Sequence, residues 1–121
     1  MVTITVEAKQ VVYTIEGWYK LWSLRSQLKI PLEHIQRAHV DPHPAMGWFQ
    51  GLKLAGTGVP DIFRAGTFFQ DGGLVFWDVR HPESTIVVEL EHEHFKKLVI
   101  EVETPATVAA MINEAIDARR D

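Results

Sequence analysis

The stretch "TIVVELEHEHFKKLVIEVE" (residues 85–103) contains two runs in which apolar residues alternate with polar ones, joined by the polar turn "HEHFK". A period of two is typical of β-strands that have one face in a core and the other in water. The residues expected to face the core are Ile86, Val88, Leu90, Leu98, Ile100 and Val102, and those expected to face solvent are Glu89, Glu91, Glu101 and Glu103. The stretch therefore predicts an antiparallel hairpin in a sheet that is wetted on one side.

Further strands precede this hairpin. "VTITVEA" and "VVYTIE" predict a first hairpin, and the residues from Ile35 to Val40 predict a strand that Pro31 separates from the preceding extended piece. "FRAGTFF" and "LVFWDVR", joined by "QDGG" and followed by "HPES", predict the start of an antiparallel meander. Phe69 and Leu74 are expected to lie close together, and the aromatic face that is not core is covered either by the segment around Trp48 or by a second subunit.

Two segments have helical spacing. "WYKLWSLRSQL" predicts a short amphipathic helix near residues 17–28. At the C-terminus, Thr104 is expected to be the N-cap and Pro105 the first residue of a helix. The apolar stripe expected for that helix consists of Val108, Met111, Ile112, Ala115 and Ile116. About seven strands and a terminal helix predict a mainly β (α+β) fold.

Composition limits the possible classes of protein. The 121 residues predict one domain spanning 1–121, and the absence of cysteine excludes disulfides and thiolate chemistry. The net charge is −4, with +2 in residues 1–60 and −6 in residues 61–121, which argues against nucleic-acid binding. The beginning of the chain does not have the pattern of a signal peptide, and no apolar run is long enough to span a bilayer. We expect a soluble cytoplasmic protein without a strong membrane signal.

The order of these segments resembles the bacterial pleckstrin-homology-like proteins, a largely uncharacterised family. The resemblance covers nearly the whole chain and rests mainly on "IPLEHI" before a strand, "AGTF" before a Gly-Gly turn, "FWDV", and "LVIEVETP" before the last helix. It implies a bent antiparallel barrel of about seven strands closed by a C-terminal helix, and a role in binding or assembly. Phosphoinositide-binding members carry several cations around the first hairpin, whereas "VEAKQVVY" supplies only Lys9. Phosphoinositide binding is therefore not supported.

The glycine-rich segment "GWFQGLKLAGTGVPD" (residues 47–61) predicts a long loop. Its "GTG" lacks the Gly-Lys-Ser/Thr that completes a phosphate-binding loop, and it does not pass from a strand into a helix. The loop is nevertheless the best candidate for a ligand site. The weak candidates for ligand contacts are Trp48, Lys53 and Arg64.

The histidines offer weak candidates for a metal site. His92 and His94 would share one face of a strand, but their segment is expected to be a turn, and a closed site needs further ligands. "HVDPHP" offers His39, Asp41 and His43, and its prolines favour a rigid turn. No serine lies in a nucleophile-elbow pattern, and we predict neither catalytic residues nor a cofactor.

Three functional hypotheses follow from the sequence. The first is a noncatalytic cytoplasmic module that acts through contacts with an unknown protein partner or through self-association as a homo-oligomer. The second is a small-ligand or lipid-headgroup binding domain that uses the loop of residues 47–64. The third, a metal enzyme built on the histidines, has the least support.

Overall fold

A computed structural model of the chain describes residues 2–15, 26–42, 64–70 and 72–120, and these contain eight β-strands and one α-helix. The elements are β1 (Val2–Val6), β2 (Gln10–Ile15), β3 (Ser26–Pro31), β4 (Ile35–Val40), β5 (Arg64–Gln70), β6 (Gly73–Val79), β7 (Thr85–Leu90), β8 (Lys97–Glu101) and α1 (Pro105–Arg120). Two 3-10 helices, Leu32–His34 and Pro82–Ser84, precede β4 and β7. The prediction of a mainly β protein with a C-terminal helix is confirmed.

The first three strands form an antiparallel sheet, sheet A, in the order β1-β2-β3. The predicted hairpin of β1 and β2 is confirmed, and the backbone N–H of Glu7 donates to the carbonyl of Gln10 across its turn, at 2.8 Å. Val2 is buried, and Ile4 and Val6 pack against the same core, as their alternation predicts. Pro31 ends β3 and is followed by the 3-10 turn before β4, so the expected separation of the two strands is also confirmed.

The helix predicted near residues 17–28 is wrong for residues 26–28, which form the first half of β3. Ser26 pairs with Ile15 and Leu28 pairs with Tyr13 in antiparallel register. The backbone ladder with β2 therefore overrides a helical spacing that the sequence carries over only a short distance. Residues 17–25 lie outside the described part of the chain.

The remaining strands form a five-stranded sheet, sheet B, in the order β4-β7-β8-β6-β5. The predicted hairpins β5–β6 and β7–β8 are confirmed, and Phe69 lies opposite Leu74. The prediction of an antiparallel meander is wrong at one place, because β6 and β7 do not pair. Instead β8 lies between them and runs parallel to β6, while β7 pairs with β4 on its other side. Short-range patterns identify strands, but the order of strands within a sheet depends on how the sheet buries both its faces.

One apolar core joins sheet A, one face of sheet B and α1. Its buried residues on sheet B include all those predicted for the last hairpin and its exit: Ile86, Val88, Leu90, Leu98, Ile100 and Val102. The opposite face of sheet B carries a second buried cluster, composed of Val75, Trp77, Val79, Val87 and Val99. The expectation that one face of this sheet is wetted is therefore wrong for its central strands, and Glu101 is buried rather than exposed.

Helix α1 packs on the core through Ala109, Ile112 and Ile116, with Val108 and Ala115 partly buried beside them. Met111 was expected on this stripe but is 40% exposed. The backbone carbonyl of Thr104 accepts a hydrogen bond from Val108 N–H at 3.0 Å, as an N-cap carbonyl does. The Thr104 hydroxyl instead donates to the carbonyl of Glu103 at 2.6 Å, so the side-chain part of the predicted cap is replaced by this local bond.

Candidate functional site

The outer strand of sheet B, β5, presents backbone hydrogen-bonding groups away from the sheet. The carbonyl of Leu74 on β6 accepts a hydrogen bond from Lys96 N–H at 2.8 Å, on the side of β6 that faces β8. Leu74 therefore does not exchange hydrogen bonds with Phe69, its partner on β5. Because bonded and non-bonded pairs alternate along an antiparallel ladder, the N–H and C=O groups of Ala65, Thr67 and Phe69 all point away from β6.

This edge of β5 has the composition of a strand that can pair further. The described part of the chain contains no strand on the outer side of β5. Residues 65–70, "AGTFFQ", carry no charge and no proline, which are the devices that commonly block an edge. Phe69 is 74% exposed, the largest exposure among the large hydrophobic side chains of the described residues. The end of β5 therefore combines a strand edge that pairs with no strand of the described residues and an exposed aromatic ring.

The opposite edge of sheet B is closed by a side chain. On β4, the N–H of Ala38 donates to Oδ1 of Asn113 at 2.9 Å, and Nδ2 of Asn113 donates to the carbonyl of Ala38 at 2.8 Å. The Asn113 amide thus forms the same pair of hydrogen bonds that an opposed residue of a neighbouring antiparallel strand would form. Since α1 also packs across β4, strand addition at this edge is blocked.

A buried carboxylate fixes the connection between β6 and β7. Oε1 of Glu101 accepts hydrogen bonds from the backbone N–H groups of Arg80 and His81 at 2.8 and 2.9 Å, and Oε2 lies 3.0 Å from Nδ1 of His81. Burial pushes the pKa of Glu101 upward, but the hydrogen bonds from His81 and Arg80 outweigh it, and the pKa is lowered. The ionised Glu101 therefore acts as an anchor for this turn.

Asp78, on β6, is a second buried carboxyl. It lies opposite Ile100 of β8, the residue before Glu101. Burial raises the pKa of Asp78, and the negative charge of Glu101 acts in the same direction. Two carboxyls whose pKa values are displaced in opposite directions can form an acid–base pair. Here both side chains are almost completely covered, and Glu101 is engaged by the turn, so the arrangement favours a structural role.

The candidate metal ligands His92 and His94 lie in the loop between β7 and β8, where a turn was predicted. The ring of His92 lies edge-on to His34 at 6.1 Å, whereas the ring of His94 packs on Phe95 at 4.8 Å. Nδ1 of His34 lies 2.5 Å from Oε2 of Glu93, which ties this loop to the start of β4. No group of three or more His, Cys, Asp or Glu residues suited to a metal occurs in the described ranges.

The second sequence-derived metal candidate consists of His39, Asp41 and His43, of which the structure describes the first two. His39 lies on β4, with Nδ1 3.6 Å from Oε2 of Glu89, a carboxylate that also accepts two hydrogen bonds from Arg37. Asp41 follows β4, where its backbone N–H donates to the carbonyl of Thr85 at 2.9 Å. His43 lies outside the described residues.

An open groove of about 500 Å³ lies beside the β1–β2 turn. It is lined by Ala8, Lys9, Gln10, Pro31, Glu33 and Arg119. Nη2 of Arg119 is 3.7 Å from Oε2 of Glu33, too long for a hydrogen bond, so this exposed pair is loose. The groove is thus lined by two cations, Lys9 and Arg119, and one anion, Glu33, and part of its lining is apolar.

The ligand site predicted on the loop of residues 47–61 falls outside the described part of the chain, together with Trp48 and Lys53. Arg64 is the first residue of β5 and pairs with Val79. The groove near Lys9 is a different place, and no sequence motif indicates it because its residues come from three separate segments.

Sequence reasoning missed the roles of two residues, Glu101 in the turn after β6 and Asn113 at the edge of β4. Glu101 lies at a position that the alternation assigns to solvent, as Glu103 does. The pattern therefore gives no sign that Glu101 is buried. Asn113 is a polar residue of low helix propensity in the middle of α1, and that was the available signal for a special contact.

Comparison with known proteins identifies no relative: no family model, no curated protein and no solved structure matches the chain. In the part of the chain that the structure describes, no helix is both long and apolar enough to cross a membrane.

Proposed function

We propose that this chain is a noncatalytic binding or assembly module that acts through protein contacts, with self-association as the first mode. The observation that carries the proposal is the difference between the two edges of sheet B. Asn113 occupies the backbone N–H and C=O of Ala38 on β4, whereas residues 65–70 of β5 carry no charge and include the exposed Phe69. A sheet that has one edge blocked, and whose other edge pairs with no strand of the described residues, has a surface suited to a partner strand.

The buried polar groups support a noncatalytic role. The carboxylate of Glu101 is occupied by the turn of residues 80–81, and His34 is paired with Glu93. Catalytic acids and bases instead need access to a substrate within hydrogen-bonding reach. Glu101 with His81, and His34 with Glu93, are therefore better explained as anchors for loops.

A relationship to the pleckstrin-homology-like proteins, and with it a cytoplasmic location, is part of this proposal. The mainly β structure and the C-terminal helix are compatible with that relationship, and a cysteine-free composition is compatible with the location. The parallel pairing of β6 with β8 counts against an all-antiparallel barrel. An experimental structure of the full chain tests the relationship, since a closed seven-strand barrel would support it and two separate sheets would contradict it.

Sedimentation equilibrium of the purified full chain tests self-association. We expect the mean mass to rise above 13.8 kDa as the concentration increases from the low micromolar to the submillimolar range. A mass of one chain across the whole range would refute self-association as the mode of action.

The groove beside the β1–β2 turn favours a second candidate function, the binding of a small anionic ligand or lipid headgroup. Its volume is within the range of small-molecule sites, and Lys9 and Arg119 supply positive charge to it. Titration of inorganic phosphate and of short dicarboxylates, followed by amide chemical shifts, tests this function. Saturable shifts at residues 8–10 that disappear in Lys9→Ala would support it, and shifts that are absent or unchanged in Lys9→Ala would refute it.

A further inference from the structure

We propose that two copies of this chain join through their β5 strands, which pair antiparallel about a two-fold axis at Thr67. The two five-stranded sheets would then form one continuous sheet across the dimer. This inference rests on the proposed function and specifies the surface and the partner through which it operates.

The backbone of β5 fits this pairing. With the axis at Thr67, Ala65 lies opposite Phe69 of the second copy, and Thr67 lies opposite its own equivalent. These are the residues whose N–H and C=O groups point away from β6, as the bond between Lys96 N–H and the carbonyl of Leu74 establishes. Each opposed pair exchanges two hydrogen bonds, which gives about six across the interface.

The order of large and small residues along β5 is also complementary to itself. In the same register Phe69 lies opposite Ala65 of the second copy, and Phe68 lies opposite Gly66. Each aromatic residue is therefore matched with a small one, so the register places no two aromatic residues directly opposite each other. The single charged residue of the strand, Arg64, lies opposite Gln70, and no like charges meet. This self-complementarity identifies a second copy of the chain as the occupant.

The exposed apolar residues point to the same edge. Val40, Phe69 and Met111 are the exposed large hydrophobic residues of the described part of the chain. Val40 ends the strand whose edge Asn113 occupies, and Met111 lies on the outer side of α1. Phe69 is the member of this set that combines exposure with an available strand edge.

Sedimentation equilibrium of four full-length variants tests the inference. Thr67→Pro removes an N–H that points away from β6, so the β5–β6 ladder keeps its bonds, and proline is tolerated at such edge positions. Thr67→Val is its matched control and retains the N–H. Phe69→Ser removes the exposed ring, and Met111→Ser is its control for the loss of an exposed apolar side chain elsewhere.

We expect at least a tenfold rise in the dimer dissociation constant for Thr67→Pro and for Phe69→Ser, and a change of less than twofold for the two controls. Circular dichroism identifies any variant that fails to fold. If Thr67→Pro does not fold, the dimer dissociation constant of Phe69→Ser tests the interface. A wild-type chain that stays monomeric would overturn both this inference and the proposed self-association. A dimer that persists in the folded test variants would overturn the β5 interface alone and leave self-association through another surface.

Discussion

Replacement of Glu101 by glutamine tests whether a buried carboxylate holds the connection between β6 and β7. In the native protein this side chain, 3% exposed, accepts two backbone N–H groups and contacts the imidazole of His81. The introduced glutamine keeps an acceptor oxygen but carries no charge. Hydrogen bonds to charged groups contribute about 1.5–3 kcal/mol each and neutral ones about 1, so with partial retention we expect a loss of about 2–3 kcal/mol in the free energy of unfolding.

The pH dependence gives this prediction a specific signature. The pKa of Glu101 is lowered in the folded state, so its contribution is fully present above the unfolded value of about 4.3 and is lost as the pH falls through the folded pKa. The stability difference between wild type and Glu101→Gln should therefore be constant above about pH 5.5 and shrink below about pH 4.3.

Urea unfolding at a series of pH values measures this difference. Glu103→Gln is the matched control, since Glu103 is exposed and should change stability by less than about 0.5 kcal/mol. An equal stability of wild type and Glu101→Gln at pH 7, or a difference that does not shrink in acid, would refute the role assigned to Glu101.

Four further substitutions test other parts of the fold by urea unfolding. Tyr13 is fully buried, burial raises its pKa, and its hydroxyl has no hydrogen-bond partner among the described residues. Tyr13→Phe should therefore stabilise the protein by about 1 kcal/mol, and a loss of stability would show that the hydroxyl is bonded. Asn113→Ala leaves both backbone groups of Ala38 unpaired and should cost about 2 kcal/mol and produce larger species in light scattering; an unchanged, monodisperse protein would contradict its edge-blocking role. Gly72 has a φ of 83°, so Gly72→Ala should cost about 1 kcal/mol, whereas a methyl at Gly73 meets the flexible side chain of Lys96 and should cost less; the reverse order would contradict the turn geometry.

The sequence predicted those features of the fold that depend on neighbouring residues. The alternation in residues 85–103 identified β7 and β8, and the "QDGG" turn placed Phe69 opposite Leu74. The proline after Thr104 and the apolar stripe that follows it located α1. In each case the signal lies within one element or across one short turn, where residue period and turn chemistry decide the structure.

The features that the sequence did not predict depend on distant contacts. The parallel pairing of β6 with β8 places Trp77 opposite Val99, two members of the second apolar cluster that come from strands that are not consecutive in the chain. Glu101 is buried because two backbone N–H groups from another segment converge on it. The outer edge of β4 is blocked by Asn113, which lies 75 residues after Ala38 in the chain.

The candidate site was predicted only in outline. An aromatic surface near the β5–β6 hairpin was expected, with a second subunit as one possible cover, and Phe69 is exposed there. Which backbone groups face outward could not be derived, because that depends on the bond between Lys96 and Leu74 on the far side of β6. The outward direction of the backbone groups of Ala65, Thr67 and Phe69 follows from that one contact.

Amide hydrogen exchange along β5, measured at low and high protein concentration, tests the central claim most directly. The N–H groups of Gly66 and Phe68 point toward β6, so they should be protected at both concentrations. Those of Ala65, Thr67 and Phe69 should exchange rapidly in dilute solution and become protected as the concentration rises. Equal exchange of these three amides at both concentrations would contradict assembly through the β5 edge.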